Sequence, residues 1–260
     1  MKTLLAVVLA VSSPVWATPD FERAAEIIHS ATYIPFTLNR TGCEARALYL
    51  AMELAAKDLP SRALVVSGDL RPQEGIRWPY HVALLLSAAG EGRVVDLSLS
   101  ALPFRPSEFL AALQRETPAE EKSKTRQRVV AGSVFAPSVL TEETAYVPPQ
   151  IIQPDEKPAY DMPLESFDKF PAFQFADTLT AYRTLWAIYS RGDLKEAGTR
   201  DAEQDMLTVR TRTLLELLEK KGKLEGFDKE TFENCAIDLH RWQKYKDTAN
   251  GIPLPFEPCS

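Results

Sequence analysis

Residues 42–99 constrain the fold more than any other part of the chain. From Cys43 onward, apolar residues recur at helical spacing, and Pro60 closes the run: Leu48, Met52, Ala55 and Leu59. Short apolar segments of strand length follow at residues 62–67, 80–86 and 93–99. We therefore predict an α+β fold in which a small antiparallel sheet packs on the cysteine-bearing helix.

The last two of these strands are separated by a turn-like segment and form a predicted hairpin. Depending on where the turn is centred, His81 lies opposite Asp96, or opposite Ser98 with Asp96 as its diagonal neighbour on the same face. Asp96 interrupts a run of apolar residues, where a buried carboxylate needs a partner. We expect the hairpin to hold His81 against Asp96.

Cys43 lies at the predicted start of the helix, directly after Gly42. The unpaired N–H groups and the helix dipole at such a position favour a thiolate. A histidine can take the thiol proton, and a carboxylate can fix the orientation of the histidine ring. Cys43, His81 and Asp96 are therefore the candidate catalytic residues, for acyl transfer at a carbonyl. The alternative is that Cys43 is a small buried residue without chemistry.

The same helix start offers donors for a developing oxyanion. The backbone N–H of Cys43 would be one. Asn39 is a candidate for a second, although it can equally cap the turn before the helix. The sequence has no cluster of metal-ligand residues and no phosphate-binding glycine loop, so we expect neither a metal nor a cofactor.

Three cysteines are an odd number for an exported chain. Cys235 and Cys259 both lie near the C-terminus, and their pairing would leave Cys43 free. A disulfide that includes Cys43 is the alternative.

The first 17 residues have the pattern of a secretory signal peptide. Lys2 is the positive residue, an apolar segment follows, and small residues precede residue 18. We expect a secreted or periplasmic protein without a membrane span. The formal net charge of −6 argues against nucleic acid and anionic membrane surfaces as partners.

Composition and periodicity divide the rest of the chain. A core at residues 18–136 is followed by a Pro-rich linker or surface segment at 137–163 and a mostly helical region at 164–260. Within that last region we predict helices at residues 175–189, 201–221 and 229–246. His240 would lie in the third, as a surface or packing residue.

Three motifs in this order, G-C-E-A-R-A, W-P-Y-H-V-A and V-V-D-L-S-L, resemble the protein-glutaminase (protein glutamine deamidase) family. The resemblance covers residues 40–105 and implies a papain- or transglutaminase-like core. It implies that Cys43 is the nucleophile, His81 the base and Asp96 the orienting carboxylate. Four further residues match the flanking positions of the motifs: Arg46, Ala47, Trp78 and Ser98. Among them Trp78 is a candidate substrate-binding residue.

Two features depart from the family pattern. Leu97 stands where the family often has proline, and only about twenty-five residues separate the predicted signal from Cys43. The family's enzymes typically carry a long pro-segment. We expect any inhibitory segment to lie elsewhere, in the Pro-rich stretch, or to be absent.

The resemblance implies a hydrolase that deamidates glutamine side chains in proteins or peptides and releases ammonia. A cysteine peptidase or a transglutaminase with the same triad is an alternative that sequence does not separate, because fold and triad are shared while the pocket selects the substrate. A non-catalytic exported binding protein, in which the helical region engages a partner, is a further alternative.

Overall fold

A computed structural model describes five stretches of the chain: residues 19–36, 42–88, 91–130, 173–190 and 197–238. Several predictions of the previous section fall outside them. These are the signal peptide, the Pro-rich segment, Asn39, His240 and Cys259.

The described residues form helices and two sheets. In chain order they are α1 (Pro19–Ser30), α2 (Cys43–Ala55), β1 (Ser61–Leu70), β2 (Trp78–Ala88), β3 (Glu91–Val95), α3 (Pro106–Leu113), α4 (Ala119–Lys122), β4 (Arg126–Val130), β5 (Phe173–Gln174), α5 (Phe175–Ser190), α6 (Ala197–Lys220), β6 (Leu224–Glu225) and α7 (Lys229–Phe232). A short π-helical segment, Glu233–Asp238, continues α7. None of the described helices combines the length and apolarity needed to cross a bilayer.

The larger sheet has the strand order β3-β2-β1-β4, and all its pairs are antiparallel. The hairpin pairs Leu84 of β2 with Val95 of β3. This is the register in which Asp96 is the diagonal neighbour of His81, one of the two that the sequence allowed. The mixed α+β architecture with a small antiparallel sheet is confirmed.

Helix α2 lies between this sheet and the C-terminal helices. It packs against β1 and β2 on one side and against α1, α5 and α6 on others. Its apolar residues share one buried cluster with the C-terminal helices, as Leu50, Leu54 and Leu214 illustrate. A second cluster on the other face of the sheet contains Phe109 and Leu113 of α3.

A buried carboxylate connects α2, α6 and the segment that follows α1. Glu53 of α2 accepts a hydrogen bond of 2.9 Å from the hydroxyl of Tyr33 and one of 2.6 Å from Nε of Arg210 in α6. Arg210 makes a second bond through Nη2, so the guanidinium contacts both carboxylate oxygens. A paired charge of this kind is tolerated in the interior, whereas an unpaired one is costly.

The larger sheet differs from the sequence expectation at several points. β1 runs on to Leu70 through an irregularity after Ser67, whereas the predicted strand ended at residue 67. β3 ends at Val95 instead of continuing to residue 99, because the backbone carbonyl of Asp96 accepts bonds from the N–H groups of Leu99 and Ser100 and so begins a turn. β4 was not predicted, because its charged sequence is typical of an exposed segment; it pairs with β1 as an edge strand.

The third C-terminal helix also differs from its expectation. α7 ends at Phe232, and the chain then widens into the π-helical segment up to Asp238. Cys235 lies in this segment and is disulfide-bonded. Because Cys259 is outside the described residues, the pairing of these two cysteines stays a prediction.

The start of α2 is packed closely against α5. Gly42 has a left-handed backbone with φ of 84°. A Cβ at this position would lie 2.7 Å from Cδ1 of the buried Ile188 and 3.4 Å from Cγ2 of Thr184. The residue before Cys43 therefore needs both the left-handed conformation and the missing side chain of glycine.

We expect Gly42→Ala to destabilise the fold more than Gly75→Ala. Gly75 has a similar φ of 76°, but a Cβ there would meet nothing within 4 Å. Both variants lose about 1–2 kcal/mol to the left-handed backbone, and only Gly42→Ala adds about 1–3 kcal/mol of overpacking. Urea unfolding of the two variants measures the difference, and equal losses would contradict the close contact with Ile188.

Candidate active site

The described structure brings His81 and Asp96 together. His81 is in the middle of β2, and Asp96 directly follows β3, so the hairpin places both side chains on one face. Nε2 of His81 hydrogen-bonds Oδ2 of Asp96. Both side chains are buried, and the pair predicted from the hairpin register is therefore present.

The second oxygen of Asp96 is held by its own turn. Oδ1 accepts a hydrogen bond of 3.0 Å from the backbone N–H of Ser98 and one of 2.5 Å from the Ser98 hydroxyl. Burial alone would raise the pKa of the Asp96 carboxyl, but His81, Ser98 and the nearby Arg46 outweigh it and lower that pKa below its usual value. Asp96 is therefore held as a carboxylate.

Aromatic rings fix the plane of the imidazole. The indole of Trp78 stacks on His81, with ring centroids 4.5 Å apart and an interplanar angle of 10°. Phe109 of α3 contacts the imidazole at 6.1 Å between centroids. Because Asp96 takes Nε2, the nitrogen left for proton transfer is Nδ1. Trp78 packs on the imidazole here, and its role in substrate binding stays a prediction.

Cys43 is the first residue of α2 and carries a free thiol. The first intrahelical bond of α2 is donated by the N–H of Arg46 to the carbonyl of Gly42. The N–H groups of the three residues before Arg46 therefore have no partner within the helix. These are the groups that a helix start offers to a developing oxyanion.

The surroundings of the Cys43 thiol favour its neutral form. The thiol is partly buried and donates a hydrogen bond of 3.4 Å to Oε2 of Glu44, while the backbone N–H of Val82 donates to the sulfur. Burial and the negative charge of Glu44 raise the pKa of the Cys43 thiol well above its usual value. The positive charge of Arg46 and the Val82 bond oppose this rise without overcoming it.

Cys43 and His81 belong to elements that pack together, but they are not hydrogen-bonded to each other. Cys43 and Tyr80 both pack against the small cluster of Ala47 and Val82. Tyr80 and Val82 are the two neighbours of His81 along β2. Side chains alternate along a strand, so His81 leaves β2 on the opposite face, toward Trp78. Within the described residues no hydrogen bond joins the thiol to the imidazole. Cys43 therefore contacts one face of β2, and the His81–Asp96 pair lies toward the other face.

The residue that sequence reasoning missed is Glu44. Its side chain is buried, with 4% of its surface exposed, and Oε1 accepts a hydrogen bond from the hydroxyl of Tyr80. A carboxylate in the first turn of a helix is ordinarily read as a favourable partner of the helix dipole. The signal that could have found it is its position: it directly follows the candidate nucleophile on a helix whose other residues are almost all apolar.

No group of three or more histidine, cysteine or acidic side chains suited to a metal ion occurs in the part of the chain that the structure describes. The candidate second oxyanion donor, Asn39, lies outside that part.

Residues 20–113 match the sequence model of a family described as Glutaminase (Gln_deamidase_2). These residues, less than half of the chain, are similar to the glutaminase family. The glutaminase segment runs from α1 to α3 and contains Cys43, His81 and Asp96. The match confirms the predicted resemblance to protein glutaminases and the prediction of a glutaminase-like enzyme. It does not extend to β4 or to the C-terminal helices.

Solved structures and curated proteins add little to the glutaminase match. A crystal structure of protein-glutaminase is 23% identical, with a TM-score of 0.35 over 42% of this chain and 69% of that chain. A crystal structure of pro-protein-glutaminase is 22% identical, with a TM-score of 0.37 over 48% of this chain and 52% of that chain. No curated protein matches the chain.

The lowered pKa of Asp96 predicts how Asp96→Asn changes stability with pH. A carboxylate whose pKa is lower in the folded than in the unfolded protein stabilises the fold above the unfolded value of about 3.9, and this stability is lost as the pH falls through the folded pKa. We expect Asp96→Asn to lower the free energy of unfolding at neutral pH. The difference should persist to about pH 5 and shrink below about pH 4, where the wild-type carboxyl becomes protonated.

Urea titrations of both proteins across this pH range measure the effect. Glu116→Gln, an acid-to-amide change at an exposed position, is the matched control and should give a small difference. A difference for Asp96→Asn that stays constant down to the acid limit would contradict the assigned ionisation.

Proposed function

We propose that this chain is an exported cysteine hydrolase that deamidates glutamine side chains in proteins or peptides. One observation carries the proposal: within the glutaminase segment, a free cysteine begins the helix that packs on β2, and β2 carries the histidine of a buried histidine–aspartate pair. This is the set of groups that nucleophilic acyl transfer requires.

In the first step the imidazole of His81 would come within hydrogen-bond reach of the sulfur and take the proton of Cys43 at Nδ1. The thiolate would then attack the carboxamide carbon of the glutamine side chain. A C–S bond forms and the carbonyl oxygen becomes an oxyanion, which the free N–H groups at the start of α2 would stabilise. The C–N bond then breaks, and the leaving nitrogen takes the proton from His81 and departs as ammonia. The product of this step is a thioester on Cys43.

In the second step water hydrolyses the thioester. His81 would accept a proton from the water, whose oxygen attacks the thioester carbon. The C–S bond breaks and Cys43 regains its proton from His81. The new carboxyl group loses its remaining proton to solvent and leaves as the γ-carboxylate of glutamate. Throughout, the bond from Asp96 to Nε2 would hold the ring and balance the charge of the imidazolium.

The finer features of the molecule belong to the same proposal. We infer a papain- or transglutaminase-like core at residues 18–136, an export signal at 1–17 and a helical region at 164–260. The substrate would be a protein or peptide that bears glutamine. Because α5 and α6 share the buried cluster of α2, the helical region would support the catalytic core directly.

Cleavage or crosslinking by the same triad is distinguished by the product. Deamidation leaves the substrate chain intact with one more carboxylate, a peptidase gives two fragments, and a transglutaminase gives a larger species.

We expect the mature protein to release ammonia from a glutamine-rich protein without cleaving it, and Cys43→Ala to abolish that release. The reason is that alanine cannot form the thioester. Ammonia is measured in solution and substrate mass by mass spectrometry. Ser123→Ala, at an exposed position after α4, is the control and should retain full activity. Ammonia release that persists in Cys43→Ala would overturn the proposed nucleophile.

A further inference from the structure

The carboxylate of Glu44 has no place in the mechanism above, although it is the side chain bonded to the candidate nucleophile. Its Oε2 lies 3.4 Å from Sγ of Cys43, and its Oε1 is held by the Tyr80 hydroxyl. Tyr80 packs against the same cluster, Ala47 and Val82, as Cys43 does. Glu44 is therefore held beside Cys43 by a residue of β2, the strand on which α2 packs.

We propose that Glu44 is a specificity-determining residue of this site, which accepts a hydrogen bond from the NH2 group of a primary carboxamide and repels a carboxylate. The proposal rests on the proposed function and names the substrate chemistry of that same site: side-chain amides enter, and the acids formed from them leave.

The hydrogen-bonding capacity of the carboxylate supports this role. An ionised carboxylate is an acceptor only, with about four lone-pair sites on its two oxygens. In the resting protein one site on Oε2 holds the S–H of Cys43. When that proton moves to His81 the site becomes free, and a substrate whose carbonyl carbon lies within about 3.5 Å of the sulfur brings its nitrogen into the same neighbourhood. An N–H of the substrate then replaces the S–H on Oε2.

The same oxygen distinguishes substrate from product. A primary carboxamide offers two N–H donors, whereas the γ-carboxylate of glutamate offers none at neutral pH and carries a negative charge. Two like charges a few ångströms apart in a buried site repel strongly. Glu44 would therefore hold the amide, favour positive charge on the departing nitrogen and expel the acid.

The test compares two alkylating reagents that differ in the same way as substrate and product. Iodoacetamide carries a primary carboxamide, and iodoacetate carries a carboxylate. The rates of Cys43 modification are measured for the full-length mature protein by mass spectrometry of the Cys43 peptide, and each is divided by the rate for free N-acetylcysteine. The ratio of the two normalised rates cancels any change in the amount of thiolate.

For the wild-type protein we expect a ratio on the order of tenfold or more in favour of iodoacetamide, and for Glu44→Gln a ratio near one. Glu120→Gln removes one negative charge at an exposed position and should keep the wild-type ratio. Tyr80→Phe leaves the charge in place but removes the bond that positions it, so its ratio should be intermediate. Circular dichroism shows whether Glu44→Gln folds. If it does not, the alkylation ratio of Tyr80→Phe tests the proposal in its place.

A steady-state experiment adds a second readout. A peptide that contains glutamate in place of the target glutamine should inhibit Glu44→Gln more strongly than the wild type, with a several-fold lower inhibition constant. A residue that merely stabilises the helix start would change both alkylation rates equally and leave product inhibition unchanged, and that result would overturn the proposal.

The outcomes separate this inference from the proposed function. If the wild type releases no ammonia but its alkylation ratio is high and falls in Glu44→Gln, the deamidase proposal fails while the preference for amides stands. If ammonia is released and the ratio is the same in both proteins, the role of Glu44 fails alone.

Discussion

The burial of α2 on all sides is the constraint on which the rest of the structure depends. Eleven of its thirteen residues are buried, because the sheet covers one side and α1, α5 and α6 cover the others. A helix in this position cannot carry a polar side chain without a partner, since an unpaired charge in the interior costs several kcal/mol. Each charged residue of α2 is therefore expected to have a polar or charged partner beside it.

The three charged positions have different partners along the helix. Glu53, in the last turn, is paired with Arg210 and Tyr33, which fastens the C-terminal helices to the glutaminase segment. Arg46 donates to the carbonyl of Pro35 at 3.4 Å and contributes positive charge to both Cys43 and Asp96. Glu44, in the first turn, is paired with Tyr80 and the thiol. The far end of the helix is thus structural, and its start holds the thiol of the proposed reaction.

Local pattern was sufficient for the elements that surround the site. The helix from Cys43, the hairpin and the contact of His81 with Asp96 follow from helical spacing and strand alternation, which depend on near neighbours in sequence. The end of β3 was missed, because strand alternation alone extends the strand to residue 99 and takes no account of the turn in which Ser98 bonds the Asp96 carboxylate. β4 was missed because its pairing with β1 is a contact over a long sequence separation. The partner of Glu44 was missed for the same reason: Tyr80 is 36 residues away.

The hydrogen bond from the Cys43 thiol to Glu44 affects the reactivity of the thiol. A thiol held neutral by burial and by an adjacent carboxylate is a poor nucleophile, since the thiolate is the reactive form. Nε2 of His81 is bonded to Asp96, which leaves Nδ1 for the proposed proton transfer. In the proposed mechanism the proton leaves the sulfur for His81. A carboxamide that bonds Oε2 of Glu44 would displace the S–H from that oxygen. A substrate with the right donor would in this way promote the proton transfer that its own reaction needs, whereas a carboxylate would leave the thiol at rest.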